Sequence, residues 1–397
     1  MRQNGTMGQF VKKHLFVILA AGAAIQLLAG IPTAWGVFQE PVRSEYGFEE
    51  ETASFVLSWL VAAFGAGGVA GGFLQDKLGP RFAALLGSAG LCAGFVAAGF
   101  VPGQTPWLFY LAFSAPVGAG CAFLYPAVMG CAQKWYADKK GLATGVIGVA
   151  VGLSGAALTV LVKWFTGLWG IRGCFWALGA LLGLVCGGAS LLLQNPEETP
   201  AAQNQQGMTP GQMLRTSAYW WITASVALAT PAVLLFSPRI LDLARQSGLP
   251  ETAAAWMVAV GAAGSAAGRL SLAAAGDKLG RRAVLIAAFG ALAALSAGFA
   301  FAKEWLFLAV YAGLCFFYAG QAAVLPSLCT ERFGLAHTGV NYGLLALGMA
   351  AGSLGFPFAA KALGLDAGRH WLAVGAALAG AFCLWKLGPV QKKKTSG

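Results

Sequence analysis

The chain has 397 residues, of which 58% are hydrophobic and only 10% charged, with a mean hydropathy of +0.68. An ordinary soluble domain carries about 25% charged residues, so this composition excludes a cytosolic enzyme, a secreted module and a disordered chain. The net charge of +11 does not make a nucleic-acid binder, because the cations are spread over short loops and tails rather than one patch.

A bilayer-crossing helix needs about 20 apolar residues. Such stretches occur near 14–38, 52–74, 82–100, 107–131, 139–164, 171–194, 218–243, 252–275, 282–302, 304–329, 337–362 and 369–389. They are continuously apolar and rich in Ala, Leu and Gly, whereas barrel strands alternate apolar and polar over about 10 residues. Helices satisfy their own backbone in lipid. The sequence therefore predicts an all-α integral membrane protein with twelve transmembrane helices. The first stretch is too long for a signal-peptide core and is expected to be retained. The longest polar interruption, 195–217, is rich in Gln, Pro, Glu and Thr and reads as a cytoplasmic linker. It separates an N-terminal six-helix bundle (1–194) from a C-terminal one (218–397).

The N-terminus, the even-numbered connections and the C-terminus together carry 17 Lys and Arg; the other connections carry 8. The positive-inside rule then places both termini in the cytoplasm, in a multi-pass protein of the cytoplasmic (inner) membrane. Glu40, Glu45, Glu49, Glu50 and Glu51 fall on the first external connection. Lys392, Lys393 and Lys394 read as a topology anchor. The eight cysteines lie in or at the ends of spans without CxxC spacing and read as packing residues. His14, His337 and His370 lie near span ends, so no metal site is expected. Trp107, Tyr219, Trp220, Trp221, Trp305 and Trp371 read as interfacial anchors.

The two halves repeat each other. Asp76-Lys77-Leu78-Gly79 and Asp277-Lys278-Leu279-Gly280 are 201 residues apart, and Pro126 and Pro326 are 200 apart. Gly141 and Gly145 pair with Gly339 and Gly343 at an offset of 198. Such repeats suit transporters in which one half rocks against the other around a central site. Asp76, Arg81, Asp277 and Arg281 in the two loops are expected to serve as turn and topology signals and to help hold one conformational state. Runs such as Gly65 to Gly72 permit close helix packing and sliding.

The twice-repeated G-x-x-x-D-[KR]-x-G-[PR]-[KR] loop with six plus six spans resembles the major facilitator superfamily. Two stretches narrow the likeness: Lys134-Trp135-Tyr136-Ala137-Asp138-Lys139-Lys140-Gly141-Leu142-Ala143-Thr144-Gly145, and Trp35-Gly36-Val37-Phe38 with Pro41. Both resemble the oxalate/formate antiporter family and the related monocarboxylate transporters. The resemblance implies the major facilitator fold and a gradient-driven carrier.

A charge within a span is costly and points to function. No acidic residue falls centrally in a span, and Arg269 is the one central cation, eight residues or about 12 Å before Asp277. A guanidinium stays protonated and binds a carboxylate with two prongs. The alternatives are an arginine snorkelling to the interface or bonded to backbone carbonyls. The resemblance implies the first reading, since family members carry a substrate-binding arginine at this distance from the loop aspartate. In relatives that carry oxalate, a lysine follows the Asn-Tyr pair of span eleven. Here Asn341-Tyr342 is followed by Met349 at the matching position.

A dianion in a low-dielectric site wants two cations and a monoanion one. One central Arg, a Met in place of Lys, and small lining residues such as Ala322 favour a monocarboxylate such as lactate or pyruvate. Tyr125, Tyr318, Gln321, Thr33, Asn341 and Tyr342 are the candidate hydrogen-bonding groups. Gln26 shares a face with Thr33, and Tyr311 a face with Tyr318 and Gln321. Any one of these could instead make an interhelical hydrogen bond.

The sequence thus predicts a secondary carrier of small carboxylates working by alternating access, either proton-coupled or by anion exchange. It is expected to be monomeric, without a cofactor, a metal or a nucleic-acid partner, its partners being substrate, protons in the coupled case, and the bilayer. Oxalate or dicarboxylate exchange is the alternative within transport. A drug exporter would want an acidic residue in its cavity. A non-transporting carboxylate sensor is the alternative from another class. No nucleophile–base pair or phosphate loop supports an enzyme.

Overall fold

The computed structural model describes residues 2–136, 140–196, 207–254, 256–334, 336–364 and 368–388, with side chains described from residue 15 onward except at 140–142 and 254. Ala137, Asp138 and Lys139 of the span-five motif, most of the predicted linker, and Lys392 to Lys394 lie outside the described residues. Apart from one isolated bridge between Gly207 and Gly334, the regular structure is helical. In chain order the helices are α1 (Arg2–Ala29), α2 (Ile31–Tyr46), α3 (Glu50–Phe100), α4 (Pro106–Phe109), α5 (Ala115–Trp135) and α6 (Lys140–Ser190). There follow α7 (Pro210–Leu214), α8 (Ser217–Ala229), α9 (Pro231–Leu234), α10 (Ile240–Gln246) and α11 (Glu251–Ala254). The last five are α12 (Met257–Leu279), α13 (Arg281–Phe299), α14 (Glu304–Phe333), α15 (Thr338–Ala362) and α16 (Arg369–Lys386). A π turn, Tyr110–Ser114, joins α4 to α5.

Among the described residues, 9 helical segments are long and apolar enough to cross a membrane. Two exceed what one crossing needs. α3 and α6 have 51 residues each, about 75 Å at 1.5 Å per residue against a hydrocarbon core of about 30 Å. Each is broken by a glycine in the left-handed region, Gly79 at φ 84° and Gly170 at φ 67°. A side chain would strain such a backbone. Gly79 is the turn glycine of the first loop motif. Its repeat mate Gly280, at φ 89°, separates α12 from α13.

Within the N-terminal half, α3 packs on α5 and α6, and α1 on both of those. Within the C-terminal half, α12 packs on α14, α13 on α14 and α16, and α8 on α15 and α16. The halves meet mainly where α3 crosses α15 and α6 crosses α12. The sequence supplies small residues there. A Cβ on Gly65 would stand 2.6 Å from the Ala346 carbonyl, and one on Gly72 would overlap the carbonyl of Gly339. Backbone-to-backbone contact of this kind replaces the hydrophobic drive that lipid removes.

The Trp35-Gly36-Val37-Phe38 stretch anchors an aromatic core. Trp35, Phe38, Phe95, Phe113 and Phe175 are fully buried, and the Trp35 indole donates to the Ala53 carbonyl at 3.2 Å. Seven of the eight cysteines are buried, and all eight are free thiols. Trp107, Trp220, Trp305 and Trp371 are exposed, whereas Trp221 is partly buried against the core. Tyr219 differs: it is buried, with its hydroxyl donating to the Leu344 carbonyl at 3.3 Å.

Candidate functional site

The site starts at a helix break. α1 stops at Ala29 and α2 resumes at Ile31, with Pro32 in its first turn. Proline has no backbone N–H to give, so it fits there, where an N–H would lack a helical partner anyway. The Gly30 carbonyl accepts from the Thr33 amide at 3.0 Å, the Thr33 hydroxyl at 2.7 Å and the Ser154 hydroxyl at 3.1 Å. A side chain at Gly30 would collide with Ser154. Thr33 is held in this way at the edge of a cavity of about 170 Å³ between the two halves. One water needs about 10–15 Å³ on the same scale, so the space is that of a small solute.

Arg269, on α12, is the only cation among the residues lining that cavity, and no acidic residue lines it. Its Nε is buried without a hydrogen-bond partner. Its guanidinium reaches the Tyr125 hydroxyl, and its charge acts on Tyr318 and Tyr342 as well. Tyr125 on α5 stacks on Tyr342 on α15, with centroids 6.2 Å apart and planes 28° apart. Each half thus contributes one ring to a wall beside the guanidinium. Met349 and Ala322 also line the cavity, which is otherwise mostly apolar, with Val61, Phe64 and Val151 among its walls.

Six residues of the expected set therefore share one cavity: Arg269, Tyr125, Tyr318, Thr33, Tyr342 and Met349. Two lie elsewhere. Gln321 is buried in α14 off the lining. Asn341 is fully buried, and its amide donates to the Met208 carbonyl at 3.1 Å, tying α15 to the segment before α7. Ser265 lines the cavity one turn before Arg269, a position that helical spacing alone picks out. Gln26 and Tyr311 line it too.

The four loop residues fall into two patterns. Asp76 accepts from the Val340 amide at 3.1 Å, at the start of α15 in the other half, where a carboxylate suits the helix dipole. Asp277 instead pairs within its own half: Arg281 binds Asp277 at 2.9 Å and Glu331 at 2.7 Å. Arg81 is exposed.

At the opposite end of the halves stands a cluster that the sequence did not reveal. Glu50 pairs with Arg239, and Glu51 with Lys361 at 3.0 Å. Phe55 packs on Phe358 with centroids 4.8 Å apart, and the Ser353 hydroxyl donates to the Ser58 carbonyl at 3.2 Å. Lys361, near the end of α15, thus has a carboxylate partner. Contacts between the halves therefore flank the cavity on both sides.

Residues 15–243 match the Major Facilitator Superfamily. The chain is 26% identical over 361 residues to the oxalate:formate antiporter of Oxalobacter formigenes, covering 89% of this chain and 85% of that protein. It is 27% identical over 264 residues to monocarboxylate transporter 13 of Bos taurus, covering 66% of this chain and 61% of that one. A partially occluded, inward-open structure of the xylose transporter XylE from E. coli superposes with a TM-score of 0.72 at 14% identity, covering 96% of this chain and 100% of that one.

Proposed function

The chain belongs to the Major Facilitator Superfamily, a multi-pass membrane transporter rather than an enzyme, and on that premise we propose that it carries small monocarboxylates such as lactate or pyruvate. The observation that carries this reading is the buried, partnerless Nε of Arg269, in a cavity with no acidic residue to neutralise it. A guanidinium in a low-dielectric space is stabilised by an anion that arrives with the substrate. One carboxylate supplies it, and the apolar walls suit the rest of a small acid. The tyrosine hydroxyls beside Arg269 offer donors to the same group.

The proposal includes twelve crossings: the nine apolar segments, the divisions of α3 and α6 at Gly79 and Gly170, and α16. It includes a pseudo-symmetric pair of six-helix bundles (1–194 and 218–397) joined by a cytoplasmic linker. Both termini lie in the cytoplasm, the chain sits in the cytoplasmic membrane, and it acts as a monomer. The Asp76 end then faces inward and the Glu50 end outward. Coupling is by proton symport or by exchange. No carboxylate stands in the cavity as a proton carrier, so exchange needs nothing beyond the residues described.

Oxalate or dicarboxylate exchange is a second reading, favoured by the likeness to the oxalate:formate antiporter. The apolar Met349 on the cavity wall weighs against it, because a dianion wants a second cation there.

Lactate binding and uptake in proteoliposomes test the reading. Wild type is expected to bind lactate saturably, and Arg269→Gln to lose about two orders of magnitude in affinity, as a truncated buried charge pair does. Undiminished lactate affinity in Arg269→Gln removes Arg269 as the anchor. Uptake under an inward proton gradient without internal anion indicates symport, and uptake that requires internal anion indicates exchange.

A further inference from the structure

Gln26 belongs to the cavity but not to the anion anchor. It lies on α1, is only 3% exposed and lines the same cavity as Arg269, and its Nε2 has no hydrogen-bond partner. A buried, unpartnered amide donor is costly. It persists where something else fills its bonding capacity. The helix register places it. On α1, a Cβ at Gly22 would meet Val128 and Ile147, while Gly30 abuts Ser154. Gln26, midway between, is therefore level with Tyr125 on α5 and Val151 on α6. Arg269 on α12 sits with its Cβ beside Gly148, about one helical turn from that level. Gln26 and Arg269 thus line one small space from opposite halves, with the Gln26 amide nitrogen enclosed at its wall.

We infer that Gln26 reads the second polar group of the substrate, the 2-oxo or 2-hydroxyl oxygen next to the carboxylate that Arg269 holds. The inference rests on the carboxylate reading above and deepens it. Two formal charges do not suit this arrangement, since Gln26 brings a donor without a charge. An acid with one carboxylate and one adjacent oxygen satisfies both orphaned donors, and an unsubstituted acid of equal length satisfies only Arg269. A site built to hydrogen-bond a substrate oxygen rejects the analogue that lacks it, because the site's own donor is then left unpaired. Since Gln26 and Arg269 come from different halves, the two oxygens of one substrate span the boundary between them.

The experiment compares lactate, pyruvate and propionate in binding to the full-length protein in detergent or lipid. Wild type is expected to prefer lactate and pyruvate to propionate by roughly tenfold or more. In Gln26→Met, which keeps length and removes the donor, that preference is expected to collapse toward unity. Binding of propionate that still depends on Arg269 shows that the variant is folded. Should Gln26→Met not fold, Gln26→Asn keeps the amide on a shorter arm, and its preference is expected to fall partway. A lactate-to-propionate preference unchanged in the folded variant, or absent from wild type, overturns the inference while leaving the carboxylate reading intact. Failure of wild type to bind any of the three acids sinks the carboxylate reading itself.

Discussion

Two helix crossings join the halves, and the repeat relates them residue by residue. Where α3 meets α15, Gly65 faces Ala350 and Gly68 faces Ala346. Where α12 meets α6, Ala266 faces Gly152 and Arg269 faces Gly148. The offset of 201 carries Gly65 and Gly68 onto Ala266 and Arg269, and the offset of 198 carries Gly148 and Gly152 onto Ala346 and Ala350. In both crossings a small residue of one helix sits against its neighbour. At one paired position the first crossing has glycine and closes backbone to backbone, whereas the second has Arg269 and extends a cation into the cavity. A duplicated scaffold thus carries a cavity-lining cation at one of two equivalent places and a glycine at the other. Gly148 lies beside the base of the arginine side chain, where an added Cβ would stand 3.4 Å from the Arg269 Cβ, an ordinary contact.

The loop motifs diverge in the same manner. The position after the turn glycine is Pro80 in the first loop and Arg281 in the second. Arg281 satisfies Asp277 within its own half. Proline cannot, and Asp76 is left to cap α15 across the boundary. The same aspartate therefore acts between halves in one copy and within a half in the other.

Substitutions at four places test the contrast, in descending order of expected effect. Gly72→Leu places a side chain where the Gly339 carbonyl stands, and overpacking of this kind costs about 1–3 kcal/mol. A thermal melt of the purified protein should show a clear drop in Tm; an unchanged Tm means that the α3–α15 crossing is not as close as described. Met349→Lys gives the uncharged crossing its own cation. It should raise affinity for oxalate about tenfold relative to lactate, the size of a modest charge pairing; equal changes for the two acids would falsify the charge argument. Asp76→Ala removes an acceptor at the start of α15 and should cost about 1 kcal/mol, while Asp76→Asn keeps the acceptor and should cost less. Equal losses in the two variants would deny the capping role. Glu51→Ala or Lys361→Ala breaks a pair whose side chains are 44% and 58% exposed, worth at most about 1 kcal/mol. The effect should fade in high salt, and a salt-independent loss would show that the residue does something other than pair.

Much of the helical architecture was legible in the sequence, because it is local. Long apolar runs specify helices in lipid, and Asp76-Lys77-Leu78-Gly79 and its copy announce a duplication. Arg269 stood out because a charge amid apolar residues has few structural excuses. The breaks of α3 at Gly79 and α6 at Gly170 fall between predicted stretches, 74–82 and 164–171; that helical hydrogen bonding continues almost unbroken through each turn is what composition does not encode. Glu51 and Lys361 are far apart in the chain, and nothing in either neighbourhood names its partner. Asn341 shows the limit of periodicity. Its polarity suggested a substrate contact, but its amide is occupied by the Met208 carbonyl. Gln321 lies on the helix that carries Tyr318 but outside the cavity lining, since a helix turns about 100° per residue and a small error in reading the face is enough.

The break at Gly30 has a mechanical consequence. The Gly30 carbonyl, which opens α2, needs one donor to avoid being orphaned, and it has three, two of them on side chains able to rotate. The joint is over-supplied. If one bond lengthens the others hold, so the oxygen keeps a partner at the buried junction of α1 and α2. Thr33 makes two of the three bonds and also lines the cavity. The joint between α1 and α2 and the wall of the cavity are therefore built from the same residues, Gly30, Pro32 and Thr33.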